Sequence, residues 1–380
     1  MFKIVIESAA LKKAMNIACL ATENTESSVT GHCLFEFQNK TLKILSTDKR
    51  NLLAQSVMEL PAEVDSRFTI DPRKILTLLK TVESDSLTFL YDSEKATVQI
   101  FFSNTEESFI SLPSFDPSQY APVGEMFSKA YDLKTINAGV LLEGIRFIKG
   151  FLEPKDKTFS NLYISNGVLY GSNGSTVAGA FTCPDLVGLD EIILPISILS
   201  PIMNLINNLD LQDVLIQTTS NNIIFASPDK THAFGFTKVK AKMPKIPVSV
   251  KDPEVGGWTI NKKTFLKKLG CFHITGNINL GIKGVFESDT LRLSTVADRS
   301  SKDFMDCKKI KDAADTFFVT ECRLLEDTVS QFGGIDIDFF VLEKKIIIYN
   351  KANLEITEKD NKVMKPFTSV AAVVRSKEEV

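Results

Sequence analysis

The stretch RFTIDPRKILTLLK, residues 67–80, carries the pattern on which the whole chain is built. Apolar residues alternate at Phe68 and Ile70, as in a strand that buries one face. Asp71 followed by Pro72 is typical of a helix start, because the Asp side chain caps free backbone N–H groups and Pro carries none. The apolar residues that follow recur every three or four positions, on one side of a helix. The stretch therefore predicts a strand that leads directly into an amphipathic helix.

The same strand-into-helix unit occurs twice more along the chain. The strand IILP (Ile192–Pro195) precedes ISILSPIMNLI, and the strand FFVT (Phe317–Thr320) precedes ECRLLEDTVSQF. If Asp71, Pro195 and Thr320 are equivalent, the spacings are 124 and 125 residues. Recurrence at this distance indicates one domain repeated three times, and the length is typical of a domain. The predicted domains are residues 1–123, 124–250 and 251–380.

The order of predicted elements is the same in each repeat: a strand, a helix, three strands, a helix and three strands. Hairpin-length connections cannot make the crossovers that a parallel sheet needs, so the sheets are expected to be antiparallel. Two helices are expected to pack on one face of the strands, which makes the fold class α+β. Pro-containing segments at residues 113–122 and 238–250 are the predicted linkers.

The bulk composition is that of an ordinary globular protein. The chain has 380 residues, of which 44% are hydrophobic and 24% charged, and it has no apolar run long enough for a membrane span. The start MFKIVIESAALKK lacks the segments of a signal peptide, so a cytoplasmic protein is expected. The six cysteines contain no CxxC pair, and we expect reduced, buried thiols.

Positive charge is distributed unevenly in a chain whose net charge is −3. The first helix of each repeat has Lys or Arg away from its apolar face. If the repeats form an arc with these helices on one side, the charges make a basic wall that suits a phosphate backbone. The alternative is that the lysines only solvate surface helices, but their recurrence in three repeats favours the wall. The predicted DNA-binding residues on helices are Lys12, Lys13, Arg73, Lys74, Arg146, Lys149, Lys263 and Lys267.

No motif of catalysis or metal binding is found in the sequence. It lacks the phosphate loop GxxxxGK[ST], a GxGxxG turn after a strand, the GxSxG elbow and HExxH. His32, His232 and His273 are isolated and are expected to be ordinary core or surface residues. The chain is therefore predicted not to be an enzyme and to need no cofactor or metal.

Four short segments carry a resemblance to a known family. They are MFKI followed by LKKAM, LKILSTDKRNLLAQS, RFTIDPRKILTLLK and FISLPSFDPSQY, and their order and spacing are more specific than any one of them. Over nearly its whole length the chain resembles the bacterial DNA sliding clamp, the β subunit of the replicative DNA polymerase. This resemblance implies a head-to-tail homodimer whose domains form a six-domain ring around duplex DNA, with non-specific contacts and no chemistry. It also implies that a DNA polymerase and an ATP-driven clamp loader bind the ring through short peptides.

The resemblance also implies where the peptide binds, in a pocket between domains 2 and 3. The family segment Thr-Asp-Gly-His-Arg-Leu corresponds to residues 172–177, so the His-Arg pair is missing here. After Val374 the chain diverges again, to Arg375 and Ser376. The pocket is therefore expected to be altered, blocked by the tail or tuned to a different peptide, as in a phage-encoded or otherwise divergent clamp. The alternative is that these residues are ordinary strand and turn positions with no role in binding. The implied pocket residues are Ser172, Gly174, Ser175, Thr176, Val177, Pro244, Val373 and Val374.

Two further contacts follow from the resemblance. Lys155 and Lys157, in the loop EPKDKT, lie where family members touch DNA, whereas the corresponding loop of the first repeat, TENTES, is acidic. Ring closure would involve the strand near Phe109 and the helix end near Phe272 and Ile274, although core packing explains these apolar residues equally well.

Two classes of function are open for this sequence. The first is a processivity clamp that encircles DNA and tethers a polymerase. The second is a clamp-shaped scaffold that recruits proteins, for instance an RNA polymerase, and does little DNA tethering. An enzyme with an unrecognised site is a third class, for which no residue in the sequence argues.

Overall fold

The computed structural model contains six α-helices in the part of the chain that it describes, each at a position where the repeat pattern predicts one. The helices are α1 (Ser8–Ala18), α2 (Pro72–Thr81), α3 (Ala138–Lys149), α4 (Ile196–Leu209), α5 (Lys262–His273) and α6 (Cys322–Ser330). The described residues are 2–25, 28–61, 63–102, 108–120, 132–246, 248, 254–273, 281–296, 302–343, 345–351 and 368–374.

The chain divides into two compact units. Unit 1 comprises Met1–Gly139 and Ser197–Val239, and unit 2 comprises Val140–Ile196 and Lys240–Val380. Each unit contains part of the second predicted repeat, and the domain boundaries at residues 123 and 250 stay a prediction. None of the helices in the described residues is long and apolar enough to cross a membrane.

Unit 1 contains two antiparallel sheets, whose strands are numbered along the chain. The smaller sheet has the order β1 (Phe2–Glu7), β6 (Ser86–Asp92), β7 (Thr97–Phe101) and β8 (Phe109–Pro113). The larger has the order β5 (Ser66–Ile70), β2 (Cys33–Gln38), β3 (Thr41–Thr47), β4 (Leu52–Glu59), β16 (His232–Thr237), β15 (Asn222–Ala226), β14 (Asp213–Thr218) and β9 (Leu133–Asn137). The larger sheet joins two repeats, because β4 of the first pairs with β16 of the second, with Ser56 opposite His232.

Aromatic side chains fill the core of unit 1. Phe35 of β2 and Phe68 of β5 are register partners with no exposed surface, and their ring centroids are 4.9 Å apart. Phe89 of β6 lies 5.9 Å from the Phe35 ring and 6.3 Å from the Phe68 ring. Ile75 and Leu78 of α2 belong to the same buried cluster. Burying a side chain of this size contributes about 1.5–3 kcal/mol, so the stretch 67–80 lies at the centre of what holds unit 1 together.

Unit 2 also contains two antiparallel sheets. The smaller has the order β20 (Lys302–Asp306), β19 (Thr290–Thr295), β18 (Gly281–Glu287) and β22 (Thr316–Glu321). The larger has the order β13 (Ile192–Pro195), β10 (Asn161–Ser165), β11 (Val168–Ser172), β12 (Val177–Thr182), β25 (Thr368–Val374), β24 (Lys345–Lys351), β23 (Asp336–Val341), β17 (Gly257–Asn261) and β21 (Lys308–Ile310). Here β12 of the second repeat pairs with β25 of the third, so the second and third repeats share this nine-stranded sheet.

The nine-stranded sheet of unit 2 is covered by helices on one face. The Phe181 ring of β12 lies 6.1 Å from the Phe147 ring of α3. The Phe339 ring of β23 lies 5.3 Å from the Phe265 ring of α5. We name this side the helix face. Both α3 and α5 therefore pack on the same side of one sheet.

The opposite face of that sheet is covered by an extended segment instead. Side chains alternate between the two faces along a strand, so the neighbours of Phe181 and Phe339 point away from the helices. Ile246 and Val248 pack in a cluster on this side. Since both belong to the predicted linker 238–250, we name this side the linker face. The residues of the strands in the cluster are Val168, Tyr170, Ala178, Ala180, Ile310, Phe340, Ile347 and Tyr349.

All six cysteines lie in the described residues, and none of them forms a disulfide. Four are buried, as the sequence predicts, whereas Cys19 is half-buried and Cys271 is exposed. Burial raises the pKa of the Cys19 thiol to about 11, so this thiol is protonated and unreactive at neutral pH.

Candidate nucleic-acid and peptide interfaces

The two lysines of α1 lie on its solvent side. Leu11 and Met15 of this helix are buried, whereas Lys12 and Lys13 are exposed. The helix lies across β4 and β16, the strands that join two repeats in unit 1. The α1 amines are therefore exposed, and their contact with DNA stays a prediction.

Arg73 of α2, in contrast, forms hydrogen bonds to other residues of unit 1. Its Nε donates to Oδ1 of Asp71 at 2.9 Å, and the Asp71 side chain is only 3% exposed. The same carboxylate oxygen accepts the backbone N–H of Arg73 and so caps the helix. The two Nη atoms donate to the carbonyl oxygens of Glu23, Thr25 and Gly31. Arg73 thus ties the segment after α1 to the start of α2, and its DNA contact stays a prediction.

Exposed cations accumulate on the helices of unit 2 that cover the helix face. Arg146 and Lys149 of α3 are exposed, and so are Lys263 and Lys267 of α5. Since α3 and α5 pack on the same side of one sheet, these four side chains lie on its helix-covered side.

The other two lysines of α5 are engaged in contacts within unit 2. Lys262 donates its Nζ to the carbonyl oxygen of Phe332, and burial lowers its pKa from the ordinary value. Lys268 forms an ion pair with Asp303 at 2.7 Å. Of the four lysines of this helix, only Lys263 and Lys267, the pair predicted as DNA-binding residues, are exposed.

The turn after α3 adds two more exposed cations, Lys155 and Lys157. Between them, Oδ1 of Asp156 accepts the backbone N–H groups of Thr158 and Phe159 at 2.7 and 2.8 Å. This carboxylate holds the turn in shape, so both lysines project from an ordered backbone. The basic surface of α3 therefore continues into the following turn.

The predicted peptide site is a hairpin turn between β11 and β12. Oδ1 of Asn173 accepts backbone N–H bonds from residues 175–177 at 2.9–3.2 Å. Gly174 has a φ of +84°, and a Cβ at this position would lie 2.5 Å from the Phe159 ring. Only glycine fits this conformation next to that ring without strain. The turn that replaces the family's His-Arg pair is thus tightly organised.

A cavity of about 200 Å³ opens beside this hairpin, on the side of α6. Asn173 and Val177 line it from the hairpin, and Leu324 lines it from α6. The remaining lining residues are Gly150, Phe151, Leu152, Glu153, Asp327 and Thr328. A space of this size accommodates one or two side chains of a bound peptide.

Backbone pairing brings the other predicted pocket residues to the same strands. Val177 of β12 is the register partner of Val373 of β25, and Val374 pairs with Lys345 of β24. Pro244 is half-buried in the segment that runs onto the linker face two residues later. Ser172, Ser175 and Thr176 lie in or beside the hairpin turn itself.

Among the described residues, each small sheet has two edge strands, β1 and β8 in unit 1 and β20 and β22 in unit 2. On β8, Phe109 is 45% exposed. On β20, Phe304 is 71% exposed, the largest exposed fraction among the phenylalanines of these edges. Phe272, which the sequence places in the ring contact, is only 3% exposed and packs within the chain. Ile274 lies outside the described residues.

No family model and no curated protein sequence matches the chain. A DNA polymerase III β subunit from Thermotoga maritima matches with a TM-score of 0.76 at 13% identity, over 99% of this chain and 100% of that one. The β subunit from Pseudomonas aeruginosa gives 0.78 at 13% identity, over 99% and 100%. That from Caulobacter crescentus gives 0.75 at 14%, again over 99% and 100%.

The chain has the fold of the bacterial sliding clamp. The α+β class and the antiparallel sheets predicted from the sequence are confirmed, as is the resemblance to a divergent clamp. The matched proteins are bacterial, and they give no support to a phage origin. The clamp fold alone does not assign the site residues, which stay predictions.

Three features of this clamp-like chain were missed in the sequence. The position of α6 beside the hairpin could not be found, because about 150 residues separate the two in the chain. The contact of Phe159 with Gly174 depends on a loop conformation that has no sequence pattern. The exposed Phe304 could have been found from the sequence. It alternates with Asp303 and Met305 in a predicted strand, and an exposed large aromatic side chain on an edge strand indicates a binding surface.

The structural role of Arg73 is testable by substitution. We expect Arg73→Ala to lower the free energy of unfolding by about 2–3 kcal/mol, because it leaves the buried Asp71 carboxylate without its cation. Arg73→Lys should cost nearly as much, since an amine cannot reproduce the forked contacts to the carbonyl oxygens. Urea denaturation measures both. Lys80→Ala, at an exposed position of the same helix, is the control and should change stability by less than about 0.5 kcal/mol. Equal stability of Arg73→Lys and the wild type would contradict this role.

Proposed function

We propose that the chain is a DNA sliding clamp, a processivity factor that encircles duplex DNA as a homodimer and tethers a DNA polymerase. One observation carries the proposal: in a chain with the clamp fold, the exposed cations of α3, of the turn after it and of α5 lie above one helix-covered sheet face. Exposed cationic side chains on one surface can bind the phosphate groups of a DNA backbone.

The chemistry of these cations supports non-specific binding. Lys149, Lys155, Lys263 and Lys267 carry flexible ammonium groups, which act as point charges and do not read base edges. Contacts of this kind attract the duplex but do not fix the protein at a particular position along the DNA. A ring that binds in this way is retained by its topology and is free to slide.

Ring closure is supported by the edge strands β8 and β20, whose phenylalanines Phe109 and Phe304 are exposed. An edge strand presents unpaired backbone N–H and C=O groups and readily pairs with another chain. In the proposed dimer, β8 of one copy lies beside β20 of the other, and the contact repeats on the opposite side of the ring. Phe109 and Phe304 then meet across the new strand pair.

The hairpin at residues 172–177 and its cavity support a peptide tether. We place the binding of a DNA polymerase and of a clamp loader there, each through a short peptide. The protein itself performs no chemistry and works in the cytoplasm.

Charge reversal tests the DNA-binding surface. The variant with Lys149, Lys155, Lys263 and Lys267 all changed to Glu should lose at least about a hundredfold in affinity for a short duplex at low salt, because phosphate contacts dominate such binding. Fluorescence anisotropy with a labelled duplex measures the loss. The matched control changes Lys40, Lys43, Lys49 and Lys95 to Glu and should bind nearly as well as the wild type. Unchanged affinity of the first variant would favour the scaffold function instead.

A second test concerns the edge strands. Sedimentation equilibrium should give a mass of twice 42.1 kDa for the wild type. Phe304→Asp should weaken the dimer by a factor of about 30 or more, because it puts a charge at the centre of a buried contact. Val187→Asp, at another exposed apolar residue away from the edges, is the control and should leave the dimer intact. A trimer mass, or a dimer unaffected by Phe304→Asp, would contradict the proposed ring contact.

A further inference from the structure

The small sheet of unit 2 carries exposed aromatic side chains on one of its faces. Phe304 on β20 is 71% exposed, and Phe317 on β22 is 43% exposed. Their strand neighbours Met305 and Phe318 are buried in the core. Because side chains alternate between the two faces along a strand, the exposed pair lies on the face turned away from the core. We name this face the outer face.

Backbone pairing places the two exposed phenylalanines in one row across the sheet. Phe304 is the register partner of Arg292 on β19. Arg292 pairs with Val285 on β18, and Val285 pairs with Phe317. Neighbouring strands are about 4.8 Å apart, so the backbones of the two phenylalanines are separated by about 14 Å along this row. The row therefore presents two aromatic rings with a guanidinium group between them.

The next row of the outer face carries lysines. Lys302, Ser294 and Lys283 are successive register partners on β20, β19 and β18. Lys302 is exposed, and Nζ of Lys283 lies 4.8 Å from the centroid of the Phe317 ring. An ammonium group at this distance is attracted to the face of the ring. The two rows thus combine two aromatic rings with three cations, and they contain no Asp or Glu.

The acidic residues of these strands lie in the flanking rows of the outer face. Asp306 and Glu287 belong to the row on one side, and Glu321 belongs to the row on the other. Glu287 forms an ion pair with Arg292 at 3.2 Å, but 66% of the Arg292 side chain is exposed. Solvent screens such a pair. The guanidinium group is therefore accessible to a further anion.

The outer face is separate from the surface proposed for duplex DNA. Asp303 precedes Phe304 on β20 and points to the opposite side of the sheet. Its carboxylate forms an ion pair with Lys268 of α5 at 2.7 Å, so α5 lies on the core side of this sheet. The exposed Lys263 and Lys267 belong to that helix. The cations of the outer face therefore do not extend the duplex surface.

A single strand of DNA matches this combination of groups. Its bases have faces that stack on aromatic rings, and its phosphates pair with cations. A duplex keeps its base faces inside the stack and cannot make the first contact. An apolar peptide side chain binds best in a pocket, whereas Phe304 and Phe317 project from a sheet surface. The exposed rings are thus arranged as stacking platforms.

We propose that the outer face of the small sheet in unit 2 binds single-stranded DNA without sequence preference. Bases stack on Phe304 and Phe317. Phosphates pair with Lys283, Arg292 and Lys302. Aromatic side chains on a four-stranded sheet bind unpaired bases in the same manner in RNA-recognition modules. The inference goes beyond the proposed function and does not rest on it, because the duplex surface and the outer face are made of different residues.

The first test asks whether bases contribute to binding. A fluorescein-labelled strand of about 12 thymidine nucleotides is compared with an abasic strand of the same length and charge, by anisotropy with the full chain. We expect the thymidine strand to bind at least about tenfold more tightly, because only bases stack on the rings. Equal affinities for the two strands would overturn the inference.

Substitutions then locate the site. Because Phe304 lies on the edge strand proposed for ring closure, the changes are made at Phe317 and Lys283. The variant Phe317→Leu, Lys283→Gln should bind the thymidine strand at least about tenfold more weakly, since a stacking platform and a cation are lost. The variant Val187→Ala, Lys40→Gln is the control and should bind it like the wild type. Circular dichroism and thermal melting check that both are folded. Equal binding by the two variants would overturn the inference.

The charge-reversed variant of the duplex surface separates the two sites. With Lys149, Lys155, Lys263 and Lys267 changed to Glu, the chain should still prefer the thymidine strand to the abasic strand. Loss of that preference would place the bases on the duplex surface and overturn the inference.

Duplex binding distinguishes this inference from the proposed function. If the wild type fails to bind a duplex but binds the thymidine strand with the expected preference, the clamp function is wrong and the single-strand site stands. If the thymidine strand does not bind, and a designed peptide that alternates Asp with Leu binds in a manner that depends on Phe317, the outer face belongs to a protein partner and the inference is overturned.

Discussion

Unpaired backbone groups at the edges of sheets are the constraint on which this structure depends. A strand with a neighbour on one side only leaves N–H and C=O groups without partners, and it pairs with whatever strand is offered. Within the chain, β4 meets β16 and β12 meets β25, so the repeats share sheets. β8 and β20 keep one side without a strand among the described residues. The rule that joins the repeats thus also accounts for the proposed joining of two chains.

The cationic side chains have two roles, and the role depends on whether the side chain is half-buried or exposed. Where a cation is enclosed, it holds the fold: Arg73 spans Asp71 and three carbonyl oxygens, and Lys262 binds a carbonyl beyond α6. Where the amine is exposed, as in Lys263 and Lys267, it is accessible to a diffusing polyanion. Net charge says nothing about this division. An acidic protein can therefore present a basic helix surface.

The fold was predictable from the sequence because its signals are local. Asp71 and Pro72 mark a helix start by capping chemistry, and α2 begins at Pro72. The contacts that define the sites are not local, and sequence patterns missed them. Arg73 looked like a surface cation because its partners near residues 23–31 are distant in sequence, and Phe272 looked available although it is buried. The hairpin was identified from the segment 172–177, but not its neighbours Phe159 and α6.

The proposed enclosure of duplex DNA by two copies of the chain can be tested by its topology. The protein is threaded onto a long linear duplex, both ends are then blocked with bulky groups, and the complex is washed at high salt to remove electrostatic binding. We expect the protein to stay on the blocked duplex and to be released when one end is cut free. Equal loss from blocked and open duplexes would contradict it.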